Sequence, residues 1–150
     1  MRRSTALLGV STAALVGLGA WVVPGAAAPT APSTAQGGPT HLGAVLVGGS
    51  EVPGPGDTDG FGLADVRVGS SRVCWRITVK DTEPIVAAHI HAGPRGVAGP
   101  VVVPLEPFDN GCADVRSRLG RFIKGHPQQF YVNLHTADFP SGAVRGQLRR

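Results

Sequence analysis

The sequence has 150 residues, with 14 Lys and Arg against 10 Asp and Glu, a formal charge of +4. That length accommodates one ordinary domain with a real core. Aromatic residues make up 5%, and the basic residues are scattered apart from a loose group at Arg116, Arg118, Arg121 and Lys124. A nucleic-acid-binding surface needs clustered charge with stacking rings, so that class is excluded.

The chain opens with Met1-Arg2-Arg3, followed by an uncharged run that is strongly apolar over residues 7–23 and ends in Pro24-Gly25-Ala26-Ala27-Ala28. A basic start, an apolar middle and small residues before a cut define a secretory signal peptide, expected at residues 1–28. Pro29 disfavours cutting directly after Ala28, which leaves Ala27 or the neighbourhood of Ala35. The alternative is an uncleaved anchor, but the apolar stretch is short for a membrane span and holds three glycines. Removing Arg2 and Arg3 leaves twelve basic side chains against ten acidic ones. Residues 29–40, "PTAPSTAQGGPT", lack periodicity and read as a flexible linker. A β domain is expected over residues 41–150, exported, monomeric and without a stable membrane span once the leader is removed.

Short alternating segments follow. They are "LGAVLVG" (42–48), "FGLADVRV" (61–68), "RVCWRITV" (72–79), "VAAHIH" (86–91), "PVVVPL" (100–105), "GCADV" (111–115), "QFYVNLH" (129–135) and "GAVRGQL" (142–148). Val73, Trp75, Ile77 and Val79 alternate with Cys74, Arg76 and Thr78, as in a half-buried strand. Turn signals such as "DTEP" and "EPFDNG" separate the segments. Only residues 115–127 read as helical, with Leu119, Phe122 and Ile123 on a shared face, Gly125 at the end and Pro127 as the stop. The expected fold is all-β, an antiparallel, Greek-key-like sandwich or barrel of seven to eight strands with one short helix. Two cysteines in an exported chain favour a Cys74–Cys112 disulfide over metal ligation by thiols.

Side chains at i and i+2 share a strand face. In 86–91, Val86, Ala88 and Ile90 form an apolar face, opposite Ala87, His89 and His91. In 130–135, Phe130, Val132 and Leu134 oppose Tyr131, Asn133 and His135. In 144–148, Val144, Gly146 and Leu148 oppose Arg145 and Gln147. If these strands share a sheet, His89, His91, Asn133, His135, Arg145 and Gln147 gather on one polar surface. Those residues are too specialised for a merely solvated face.

The segments "SEVP" (50–53), "AAHIHAGPRGVAGPVVVPL" (87–105), "YVNLHT" (131–136) and "GAVRGQL" (142–148) resemble, in order and spacing, the motif set of the CHRD domain. That family takes its name from chordin, an extracellular antagonist of bone morphogenetic proteins, and is widespread in secreted bacterial proteins. The resemblance covers nearly all of residues 42–148. The chain departs from it at Gly54, where the family often has a second proline. The resemblance implies an extracellular β domain of largely undefined biochemical role, and does not imply an enzyme.

Two readings of the polar residues compete. In one, His89, His91 and His135 hold a transition metal, copper or zinc, with Glu51 as an oxygen ligand or as a partner for an imidazole's second nitrogen. A His-x-His strand also resembles the copper-binding strand of copper–zinc superoxide dismutases. Here, however, there is no convincing fourth histidine: His126 follows the helix and His41 lies at the domain's edge. In the other reading, Glu51, Asn133, Arg145 and Gln147 join the histidines in a structural hydrogen-bond network. The domain is then a non-catalytic binding module for an extracellular protein or cell-envelope component. An enzyme is not expected, superoxide chemistry being the outside alternative. Hydrolase chemistry lacks support, since Ser141 sits in no "GxSxG" elbow. "DTDG" (57–60) is no EF-hand, because its twelfth position is Val68.

Overall fold

The computed structural model describes residues 37–150, so the expected signal peptide and most of the expected linker lie outside the described residues. Among these residues eight strands form: β1 (Thr40–Val47), β2 (Phe61–Val68), β3 (Arg72–Lys80), β4 (Ile85–Ala92), β5 (Val101–Pro104), β6 (Asn110–Asp114), β7 (Phe130–Thr136) and β8 (Val144–Gln147). Among the described residues one α-helix, α1, spans Ser117–Gly125.

All pairings are antiparallel, in the order β5-β4-β7-β8-β1-β2-β3-β6. β5 and β6 stand at opposite edges of this order, yet only residues 105–109 join them. So short a connection spans less than about 20 Å, which curls the sheet into a nearly closed barrel. Two bonds from β3 extend its pairing with β6 into this connection: Trp75 Nε1–H donates to the Pro107 carbonyl at 2.8 Å, and the Ile77 N–H to the Asp109 carbonyl at 2.6 Å. The core is the inward row of each strand, including Leu42, Leu46, Val66, Val73, Trp75, Ile90, Val132, Leu134 and Val144. The Cys74–Cys112 disulfide forms between directly opposed residues of β3 and β6.

The structure corrects the expected faces in two places. Val86 is 64% exposed and Ile85 is buried in its stead. The register shifts between Ile85 and Ala87, and a bulge of this kind re-phases the residues before it. In α1, Phe122 is 50% exposed, while Gly120 and Ile123 face inward. Gly120 lies against the turn between β2 and β3, where an added Cβ would sit 2.4 Å from the Ser70 carbonyl oxygen. That close approach turns the helix so that Phe122 faces outward.

Candidate metal centre

The order β4-β7-β8 sets the polar faces of three strands side by side. Direct cross-strand partners include His89 with Asn133, His91 with Tyr131, Asn133 with Arg145 and Tyr131 with Gln147. Loops cover this outer face, and Asn133 and Arg145 are only 3% and 2% exposed.

His89, His91 and His135 each offer one ring nitrogen to a set lying within 4.8 Å of one another. Nδ1 of His91 is 2.8 Å from the Gly99 carbonyl, and Nδ1 of His135 is 2.9 Å from the Pro140 carbonyl. A carbonyl can only accept, so both Nδ1 atoms carry the proton and both Nε2 atoms carry the lone pair. Nε2 of His91 is buried without a hydrogen-bond partner. Nδ1 of His89 lies 3.2 Å from Nε2 of His135 and donates to it. Two nitrogens bound tetrahedrally to one zinc ion, each near its usual bond length, stand about 3.3 Å apart. The His89–His135 pair already has that spacing.

Burial is the main cause that holds the His89 and His91 imidazoles below their usual pKa. At His89 the neighbouring His135 and His91 act in the same direction, and at His91 the Gly99 carbonyl opposes it. Both rings are therefore neutral at pH 7, the form that coordinates metals.

Beside the histidines lies a second cluster. Asn133 Nδ2–H donates to Glu51 Oε1 at 2.6 Å. Arg145 donates to the carbonyls of Pro94 at 3.1 Å and Val97 at 2.9 Å, and its guanidinium lies 3.4 Å from the centre of the Tyr131 ring. His91 stacks on the same ring at 4.8 Å. Because β7 runs between β4 and β8, Tyr131 links the histidine cluster to the arginine. Sequence reasoning placed Tyr131 on the polar face without giving it a role; its alternation with Asn133 was the available signal. Gly142, at φ 144°, fits where a Cβ would come within 2.5 Å of Glu51 Oε2.

Glu51 bonds Asn133 rather than an imidazole, because backbone carbonyls already occupy the second nitrogens of His91 and His135. Gln147 makes no hydrogen bond to the histidines. Its amide reaches the carbonyls of Gly93, Gln128 and Phe130, tying down the loop after β4. His126 packs on Phe122, His41 lines a different surface groove, and neither joins the three histidines.

The CHRD domain family model matches residues 42–148. The chain belongs to the CHRD domain family. Neither curated proteins nor solved structures gave a match. In this CHRD domain the matched region runs from β1 past the end of β8 and contains all three histidines together with Glu51, Asn133 and Arg145.

Burial is also the main cause that raises the Glu51 carboxyl, from 4.5 to about 7, against the opposing effects of Asn133, Arg145 and the Val52 amide. The folded state therefore holds this proton where the unfolded chain has released it. Stability from this group is full below pH 4.5 and is lost as pH rises towards 7. The depressed histidines act in the opposite direction, because stability from them is lost as pH falls below their unfolded value. Glu51→Gln separates the two. Relative to the wild type, the variant should gain about 2 kcal/mol between pH 5 and pH 7.5. Urea unfolding at both pH values checks this, and parallel pH profiles would refute it.

Proposed function

We propose that this CHRD domain is an exported module that binds one transition-metal ion, copper or zinc, through His89, His91 and His135. The observation that carries the reading is the convergence of three imidazoles, two of them with Nδ1 committed to backbone carbonyls so that Nε2 faces the cluster, that of His91 buried without a partner. Such outer partners fix ring orientation and are usual around metal-bound histidines. A donor set of three nitrogens with no carboxylate suits copper or zinc rather than calcium or magnesium. His89 would ligate through Nδ1, which requires its proton to move to Nε2, and a fourth position would remain for water or a partner's group. The proposed role is binding, not turnover. Export is supported by the leader-like residues 1–28 and by the disulfide, which belongs to oxidising compartments. The proposed partner is an extracellular protein or cell-envelope component, met by a monomer.

A second reading rests on the His89–His135 hydrogen bond, which, with the Pro140 carbonyl, satisfies both nitrogens of His135 without a metal. The histidines then belong to a structural network in a non-catalytic binding module.

Metal content of protein purified without a histidine tag separates the readings. The expected result is close to one ion per chain, with at least about a 100-fold loss of affinity in His89→Ala/His91→Ala. No uptake after copper and zinc challenge, together with a variant that unfolds more readily, would overturn the metal reading in favour of the network. If metal is bound, a superoxide dismutation assay tests the redox alternative.

A further inference from the structure

The outward face of α1 is basic, apolar at its centre, and free of acidic groups. No Asp or Glu occurs between Asp114 and Asp138, while Arg116, Arg118, Arg121 and Lys124 all fall in that interval. Asp114 is itself paired with Arg72 at 3.0 Å. The ion pairs among the described residues are that one and Lys80–Asp81, so the α1 cations have no carboxylate partner there. Arg118, Arg121 and Lys124 follow one another at i, i+3 and i+6 and form a stripe along the helix. Arg150 is held at its end by a 2.9 Å hydrogen bond to the Lys124 carbonyl.

Beside the stripe lies a shallow groove of about 540 Å³ lined by Arg116, Arg118, Leu119, Arg121, Phe122 and His126. The half-exposed Phe122 ring is fixed from below, edge-on to Phe130 at 5.6 Å and tilted on His126 at 4.9 Å. An aromatic ring held outward within a rim of guanidinium groups matches the boundary between phosphate headgroups and acyl chains. The groove lining offers no Asn, Gln, Asp or Glu to bond sugar hydroxyls, which argues against a glycan chain.

We propose that the α1 face docks on an anionic lipid surface, with Arg116, Arg118, Arg121 and Lys124 on the headgroups and Phe122 entering the interface. This surface is independent of the histidine cluster and does not depend on metal binding.

Partition of the full chain onto phosphatidylglycerol–phosphatidylcholine vesicles, divided by partition onto pure phosphatidylcholine vesicles, tests the proposal. The ratio cancels the apolar pull of residues 7–23, and Arg2 and Arg3 contribute equally to every variant compared. Each cation near an anionic leaflet contributes about a fivefold factor. Arg118→Gln/Arg121→Gln should therefore lower the ratio about 25-fold, whereas Arg67→Gln/Arg76→Gln, which removes two exposed arginines from β2 and β3, should leave it within about twofold. Phe122→Ala should lower anionic-vesicle binding about fivefold without changing retention on dextran sulfate. These residues are exposed, so the variants should melt with the wild type, and unfolding curves check this. A ratio near one, an equal fall in both arginine pairs, or retention on dextran sulfate without vesicle preference would each overturn the proposal.

Discussion

Arg145→Met is expected to cost about 3 kcal/mol of unfolding free energy, a large share of a small domain's stability. The guanidinium is almost fully buried, donates to two carbonyls of the loop after β4, and lies on the Tyr131 ring. Methionine keeps the volume and gains from not burying a charge, but it leaves the Val97 carbonyl unpaired and the Pro94 carbonyl with only the Val97 N–H. Hydrogen bonds from a charged donor contribute about 1.5–3 kcal/mol each, and the gain in apolar burial offsets only part of their loss. The effect should reach the histidines, because the same loop carries the Gly99 carbonyl that orients His91. Urea unfolding measures the first effect, and the His91 ring resonances by NMR the second. A loss below about 1 kcal/mol, with the ring resonances unchanged, would mean that the arginine does not hold this loop.

Removal of the disulfide in Cys74→Ser/Cys112→Ser should cost about 4 kcal/mol, the chain-entropy value for a bridge spanning this separation. The two cysteines are 38 residues apart in sequence, and the loop between them carries β4, β5 and two of the three histidines. Among the described residues β6 is an edge strand that pairs with β3 alone, so its amides should lose protection first. Unfolding of the wild type with and without reductant, beside the double variant, checks the magnitude. Two titratable thiols in the oxidised protein would contradict the bridge itself.

The three histidines and Glu51 show how separately legible pieces meet. Alternation alone puts His89 and His91 on one face of β4, and Asn133 and His135 on one face of β7. It cannot state that β4 and β7 pair, because more than forty residues separate His89 from His135 and pairing is fixed by closure of the whole barrel. For the same reason the partner of Glu51 was open in the sequence. The carboxylate meets Asn133 because the turn after β1 and Gly142 before β8 both approach β7. The misplaced Val86 has a different origin. A single bulge shifts the phase of alternation, and hydrophobicity reads the same whichever of Ile85 and Val86 points inward. Helical spacing groups Phe122 with Leu119 and Ile123, but the contact of Gly120 with the β2–β3 turn sets the rotation of the helix and leaves Phe122 outside.

The all-β class, a helix ending at Gly125, the cysteine pair and the division of three strands into apolar and polar faces were legible in the residues alone. These depend on side-chain period, turn chemistry and cysteine count, which are local quantities. Strand order and loop path, in contrast, set which polar faces became neighbours, which nitrogens of His91 and His135 were taken by backbone carbonyls, and that Tyr131 lies between His91 and Arg145. Those belong to the tertiary structure, and are set when one sheet must bury all its apolar rows at once.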